Sequence, residues 1–211
     1  MIKTEYVEVF NFEGAIRGMR NPLNSWDKSD SNFYPWDETS VEIGENDLNL
    51  MKRLYKAGNE HRKYLRQIFV SMDITAPLYW WKQFDKYQIG VTTNSCSTMH
   101  KLMSKDFEFN DFSFDFIKEN NDYVKILLNT LNGLRHYYLE EKNPEQKKLF
   151  WYNVVRLLPE GYNQKRTVTM NYENVVSIIK QRAGHKLKEW DDFIIELKNL
   201  PYIKEIIDNK E

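Results

Sequence analysis

The chain has 211 residues, a formal net charge of -1, 41% hydrophobic residues and 15% aromatics. That length suits one domain over 1–211 with a continuous core, and the aromatic content excludes a disordered chain. The near-neutral balance offers no global attraction for a nucleic-acid polymer, so any phosphate recognition must be local. The single cysteine, Cys96, cannot form an internal disulfide. No apolar run approaches the ~20 residues of a membrane span, and MIKTEYVEVF lacks a signal-peptide apolar region. These features predict a cytoplasmic protein that does not engage membranes.

Residues Ile2 to Phe10 partly alternate, with Val7 and Val9 flanking Glu8, and predict a short edge or hairpin strand. Asn11 is positioned to cap a helix through Ala15 and Ile16 to Met19. The stretch Asn21 to Asn46 is rich in Asn, Ser, Asp and Pro and reads as a long surface loop. From about Asn46, Leu48, Met51, Leu54 and Tyr55 form a helical stripe that stops at Gly58.

The stretch Gly58 to Lys101 organises the chain. Ile68, Val70, Met72 and Ile74 alternate with Phe69, Ser71, Asp73 and Thr75, the pattern of a strand with one buried face. Ala76-Pro77 then predicts a helix start, because proline at a first helical position loses no hydrogen bond. Helical spacing puts Tyr79, Gln83 and Lys86 on one side, and Asn94-Ser95-Cys96-Ser97 follows a turn at Gly90. Polar groups therefore gather at the end of an apolar strand-helix unit, where ligand pockets form.

Further on, Phe107 to Phe116 holds five phenylalanines among acidic and polar residues. This is a packing or subunit-interface pattern, since a base-stacking platform also needs basic neighbours. Val124, Leu127, Leu128, Leu131, Leu134, Tyr138 and Leu139 predict a long helix, and Asn143-Pro144-Glu145 opens a second that runs to Leu158. Pro159-Glu160-Gly161 breaks it. Thr167 to Met170 offers a second strand, Asn171 caps a helix with Val175, Ile178 and Ile179, and a last helix around Trp190, Phe193 and Leu197 precedes Pro201. Helices mixed with separated strands imply an α+β domain.

Arg182 stands seven residues after Val175 and continues the stripe of Ile178 and Ile179, so it is expected to point inward. An inward guanidinium needs a carboxylate, backbone carbonyls or a bound acidic ligand, and on spacing alone an ion pair within the protein is favoured. Cys96 has no histidine at a helpful spacing and reads as a small apolar residue, not a nucleophile. No metal-ligand spacing is present.

The order of strand, Ala-Pro, helix, basic-aromatic cluster and Asn-x-x-Ser resembles the flavin-dependent thymidylate synthase family. Lys86-Tyr87-Gln88 falls where that family carries Arg-His-Arg, Thr92 stands near its first serine, and Asn94 and Ser97 match its Asn-Glu-x-Ser-x-Arg. Ser95 and Met99 replace its glutamate and arginine. Leu158-Pro159 through Asn171 to Arg182 is similar to the stretch that ends in the family's catalytic arginine.

The resemblance implies mixed helices around a twisted, largely antiparallel sheet and a homotetramer with shared sites. It also implies reductive methylation of dUMP to dTMP using FAD, NADPH and methylenetetrahydrofolate. It assigns Arg182 to catalysis, through contact with the uracil ring, and Gln83, Lys86, Ser95, Cys96, Ser97 and Arg156 to the pyrimidine nucleotide. His61, Lys86, Tyr87, Gln88, Asn94, Asn171 and His185 fall to the flavin. The departures bear on phosphate binding: Lys86 lacks the planar fork of arginine, Gln88 lacks the charge, and Met99 removes a cation for which the neighbouring His100 and Lys101 are candidates to compensate, although neither is aligned with it. Two other readings share this fold: an enzyme that modifies another pyrimidine nucleotide or uses another one-carbon donor, and a non-catalytic oligomeric interaction protein without the flavin site.

Overall fold

Burial alternates along the central strand, β4, Phe69–Pro77, with Val70, Met72, Ile74 and Ala76 inward and Ser71, Asp73 and Thr75 partly exposed. The computed structural model describes residues 2–34, 37–114, 117–119 and 121–208, with backbone alone at 37–40. In chain order the elements before β4 are β1 (Lys3–Phe10), α1 (Phe12–Arg20), β2 (Asn32–Tyr34), β3 (Asp37–Glu42) and α2 (Glu45–Lys56). After it come α3 (Leu78–Phe84), β5 (Thr92–Ser95), α4 (Asp122–Glu140), α5 (Pro144–Leu157), β6 (Asn163–Asn171), α6 (Tyr172–Arg182), α7 (Lys188–Lys198) and α8 (Ile203–Ile207).

The main sheet has the order β1-β4-β6-β5, and β2 pairs with β3 in a separate antiparallel ribbon. Thr167 Oγ1 donates to Asp73 Oδ1 at 2.6 Å, Thr169 Oγ1 reaches Ser71 Oγ, and the Tyr172 amide donates to the Ile68 carbonyl at 3.0 Å. As one index rises the other falls, so β4 and β6 run antiparallel. The fold class is α+β with a largely antiparallel sheet. No helix among the described residues is long and apolar enough to cross a membrane.

The chain divides into two compact units. The first comprises the N-terminal residues to Lys3, Ile74–Lys86 and Asn94–Arg166; the second comprises Thr4–Asp73, Tyr87–Thr93 and the chain from Thr167. The first unit is built around Leu102, Met103, Phe107, Phe112, Leu131 and Val154, all buried. Phe112 stacks on Phe114 with ring centroids 5.1 Å apart, and Tyr162 meets Phe112 edge-on. The phenylalanine stretch is thus packing, as its acidic neighbours predict; Phe116 lies outside the described residues. Its backbone is not a strand, since Phe109–Asp111 forms a 3-10 turn closed by a reciprocal capping box between Glu108 and Asp111. The connection between α4 and α5 is short, and Tyr137 stacks on Phe150 across it.

The second unit buries Ile16, Met51, Tyr64, Tyr172, Val175, Trp190 and Phe193. Within it, the stretch expected to be a long loop is more ordered than its composition suggests. Two 3-10 turns (Asn21–Leu23 and Trp26–Lys28) precede the β2-β3 hairpin, with Pro35 and Trp36 outside the described residues.

The physical cause is a buried ion pair. Arg20 Nε donates to Asp47 Oδ1 at 2.6 Å, and its other nitrogens reach the carbonyls of Ser25 and Lys28. Asp47 also accepts from the Ser29 and Ser31 hydroxyls and the Asp30 amide. Burial pushes the Asp47 carboxyl up, but the bonds from Ser31, Ser29, Arg20 and Asp30 outweigh it and hold the group below its ordinary range.

A second departure concerns Ala76-Pro77, which closes β4 and does not open the helix. Pro77 is extended, with φ -68° and ψ 152°, and α3 starts at Leu78. The amides of Leu78 and Tyr79 donate to the carbonyls of Tyr162 and Glu160, so the unpaired start of α3 is satisfied by the segment entering β6.

Candidate functional site

In the first unit, α3 buries Trp80, Trp81 and Phe84, which leaves Gln83 half-buried on the other side and Lys86 exposed just past the helix end. Residue types decide this: the aromatics at 80, 81 and 84 take the core face, and the polar positions at helical spacing remain outside. Asn94, Ser95 and Cys96 are exposed on and just after the edge strand β5, a strand that no alternation in the sequence announces. The Cys96 amide donates to the Lys165 carbonyl at 2.9 Å, while its thiol is exposed. Ser97 Oγ accepts from the amides of Met99 and His100, and so its hydroxyl shapes the following turn. The Met99 carbonyl accepts from the Trp151 indole at 3.0 Å. Arg156 is exposed on α5 and lies 5.1 Å above the Tyr152 ring.

A buried amide joins two of these segments. Gln164 Nε2 donates to the Cys96 carbonyl at 2.9 Å, its Oε1 accepts from Arg166 Nε at 3.0 Å, and its own carbonyl accepts from the Trp81 indole at 2.9 Å. Arg166 in turn lies 4.2 Å above the Trp81 ring and pairs through Nη1 with Asp85 at 2.6 Å. Sequence reasoning did not single out Gln164 or Arg166, although both occupy the same face of β6 by two-residue spacing. Nearby, burial pushes the Tyr162 phenol up, and the charge of Asp111 acts the same way against Lys105; the hydroxyl stays protonated.

In the second unit, α6 starts at the reciprocal capping box predicted in part by Asn171. Asn171 Oδ1 accepts from the Asn174 amide and Asn174 Oδ1 from the Asn171 amide. Asn174 Nδ2 also donates to the Ile89 carbonyl at 2.9 Å. Gly90 has φ +73°, and a Cβ there would lie 2.6 Å from Asn171 Nδ2. Asn174 on α6 therefore holds the Ile89-Gly90 turn against the helix start, and the closeness of the cap residue Asn171 leaves room only for glycine.

At the other end of α6, Arg182 Nε donates to the Tyr87 hydroxyl at 2.9 Å. That hydroxyl lies 3.2 Å from Gln181 Oε1, to which it donates. The guanidinium carbon sits 4.5 Å from the Trp190 ring centroid and 5.5 Å from that of Tyr87. Gly184, at φ +67°, turns the chain so that α7 brings Trp190 back to Arg182. Arg182 is half-buried, as an arginine at the end of an apolar stripe is expected to be, and aromatic faces form part of its surroundings.

His185 is half-buried, 6.3 Å from Trp190, and its Nδ1 accepts from the Leu187 amide at 3.1 Å, which makes Nε2 the donor in the neutral ring. Gln88 and His61 are exposed, His61 in a turn where its amide donates to the Gly58 carbonyl. Its neighbour Arg62 points inward and pairs with Glu173 at 2.7 Å. The second unit thus brings Tyr87, Arg182 and His185 around Trp190 and places Asn171 at the opposite end of the same helix. A cleft of about 390 Å³ elsewhere in this unit, lined by Val9, Met72, Glu196 and Leu200 among others, contains none of these residues.

No family model and no curated protein matches the sequence. Solved structures do match the fold. Thymidylate synthase X from Helicobacter pylori, solved with FAD and dUMP, superposes with a TM-score of 0.64 at 16% identity, over 93% of this chain and 91% of that one. A second structure of the flavin-dependent thymidylate synthase ThyX from Helicobacter pylori, complexed with FAD and dUMP, gives 0.63 at 18% identity, over 94% and 96%. The chain therefore has the fold of the flavin-dependent thymidylate synthases.

Proposed function

We propose that this chain is a divergent flavin-dependent thymidylate synthase-like protein that binds FAD and a pyrimidine deoxynucleotide. In this reading it converts dUMP to dTMP with methylenetetrahydrofolate and NADPH, as a cytoplasmic homotetramer of single 1–211 domains. The observation that carries the reading is the placement of Arg182: its Nε donates to the Tyr87 hydroxyl and its guanidinium carbon lies 4.5 Å from the Trp190 ring centroid. Such a guanidinium, rigid and half-desolvated, suits a uracil edge that gains negative charge. The shared fold with structures that hold FAD and dUMP supports it.

The remaining residues take roles by chemistry. Gln83 offers an amide that both donates to and accepts from a pyrimidine, and Ser95, Cys96 and Ser97 line the strand end with small polar groups. Lys86 and Arg156 add mobile positive charge for the nucleotide. A planar aromatic cofactor with polar edges is suited by the Tyr87 ring and the His185 Nε2 donor, with Gln88, Asn94, His61 and the Asn171-Gly90 contact in supporting places. Bound flavin supplies the hydride chemistry; the protein binds and orients.

The test is direct. Purified protein should be yellow or become so with added FAD, and it should bind dUMP in the presence of FAD. Colourless protein that takes up no FAD overturns the reading and leaves the non-catalytic interaction protein. Ser95 and Met99 favour one variant of the proposal, an enzyme acting on another pyrimidine nucleotide. A panel of dUMP, dCMP and their nucleosides separates the two, since turnover confined to dUMP removes the variant.

A further inference from the structure

A nucleoside monophosphate brings a dianion, and a site for it needs a cation held in place. The first unit contains three arginines. Arg135 is committed to Asp106 at 2.6 Å and to the Met103 carbonyl, and Arg156 is exposed above an aromatic ring of its own helix. Arg166 differs from both. Its side chain is only 14% exposed, places its guanidinium carbon 4.2 Å over the Trp81 ring, and is fixed at Nε by Gln164 and at Nη1 by Asp85. Among the described residues no group meets Nη2, and that atom is not buried.

The clamp also has a definite address. Asp85 follows Gln83 at the end of α3, and Gln164 bonds the Cys96 carbonyl between Ser95 and Ser97. The guanidinium therefore stands at the junction of the two first-unit segments that carry the proposed nucleotide contacts. We propose that Arg166 is the phosphate-binding arginine of this protein, presenting Nη2 to the phosphomonoester while Gln164 holds Nε and Asp85 holds Nη1. Arginine has five N–H donors in one plane, so it can hold a carboxylate and a phosphate at once through different edges. Stacking on Trp81 and the two fixed bonds remove the rotamer freedom that an exposed lysine would lose on binding. Asp85 opposes the incoming dianion electrostatically, which makes the interaction orienting and selective more than tight.

This inference rests on the nucleotide-binding reading above. The experiment compares binding of dUMP and deoxyuridine, each with FAD present, to the wild-type protein, Arg166→Gln and Arg166→Lys, alongside their melting temperatures. Expected is a loss of dUMP affinity of about tenfold to a hundredfold in Arg166→Gln, an intermediate loss in Arg166→Lys, and unchanged deoxyuridine and FAD affinity. Equal losses for nucleotide and nucleoside, or unchanged dUMP affinity, overturn the assignment and leave Arg166 a brace between α3 and β5. If neither variant folds, the same conclusion holds. Wild-type protein that binds FAD but neither pyrimidine ligand sinks the nucleotide reading itself, and the Arg166 assignment with it.

Discussion

Arg182 and Tyr87 lie 95 positions apart and are joined by a single hydrogen bond of 2.9 Å, from the guanidinium Nε to the phenol oxygen. The guanidinium carbon also lies 5.5 Å from the Tyr87 ring centroid and 4.5 Å from that of Trp190. Tyr87→Phe keeps the ring and removes the oxygen. A neutral acceptor of this kind contributes about 0.5–1.5 kcal/mol, so the variant should lose roughly twofold to tenfold in nucleotide affinity or turnover. Titration of FAD-loaded protein with dUMP measures it. A lowered melting temperature with unchanged nucleotide affinity would show the bond to be structural only.

Gly90→Ala should damage the neighbouring turn. A side chain at φ +73° costs about 1–2 kcal/mol in backbone strain, and the new Cβ would press on Asn171 Nδ2 at 2.6 Å. The chain must shift there, since Asn171 is held in the capping box of α6. The expected result is a destabilisation of that size or larger in urea unfolding, with weaker uptake of FAD. Asn174→Ala, which frees the Ile89 carbonyl from the helix, should weaken FAD uptake in the same direction with less loss of stability.

The Arg20-Asp47 pair of the second unit is buried, with side chains 4% and 0% exposed. Asp47→Ala strands a buried guanidinium and three donors, and should cost about 3–5 kcal/mol. Arg20→Met combined with Asp47→Leu removes both charges and should cost less than Asp47→Ala alone. Denaturant melts of the three proteins decide it; a double variant as unstable as the single one would assign the cost to the hydroxyl and amide bonds of Ser29, Ser31 and Asp30 instead.

The same carboxylate sets an acid limb. Its folded pKa is depressed below the unfolded value of about 3.9, so its contribution is fully present above that value. It is lost as pH falls through the lower folded value, because the unfolded chain binds the proton first. Stability measured from pH 5 downward, a range chosen about one unit above the unfolded pKa, should fall more steeply in the wild-type protein than in Asp47→Asn. Identical slopes would mean that other carboxylates carry the acid response.

Much of the secondary structure was legible because its signals are local. The alternation Val70, Met72, Ile74 produced β4 with the expected face inward, and Asn143 and Asn171 cap α5 and α6 through the side-chain bonds their positions predict. The α+β class follows from the order of such segments, whereas the largely antiparallel sheet was implied by the family resemblance. Less legible were β5, whose residues Thr92 to Ser95 show no alternation of apolar and polar side chains, and the hairpin inside the Asn-rich stretch.

What composition and periodicity determine is which face of each element turns inward, since a side chain's preference for water or core is carried by that residue alone. Which polar groups meet is a different matter. Arg20 finds Asp47 over 27 positions, Arg166 finds Asp85 over 81, and Tyr87 finds Arg182 over 95. The apolar stripe of α6 marks Arg182 as inward, but no local rule names its partner or distinguishes Arg20 and Arg166 from the solvated cations around them. The folded backbone chose the partners, because a charge entering a low-dielectric interior is tolerated only where the chain happens to bring a complementary group within bonding distance.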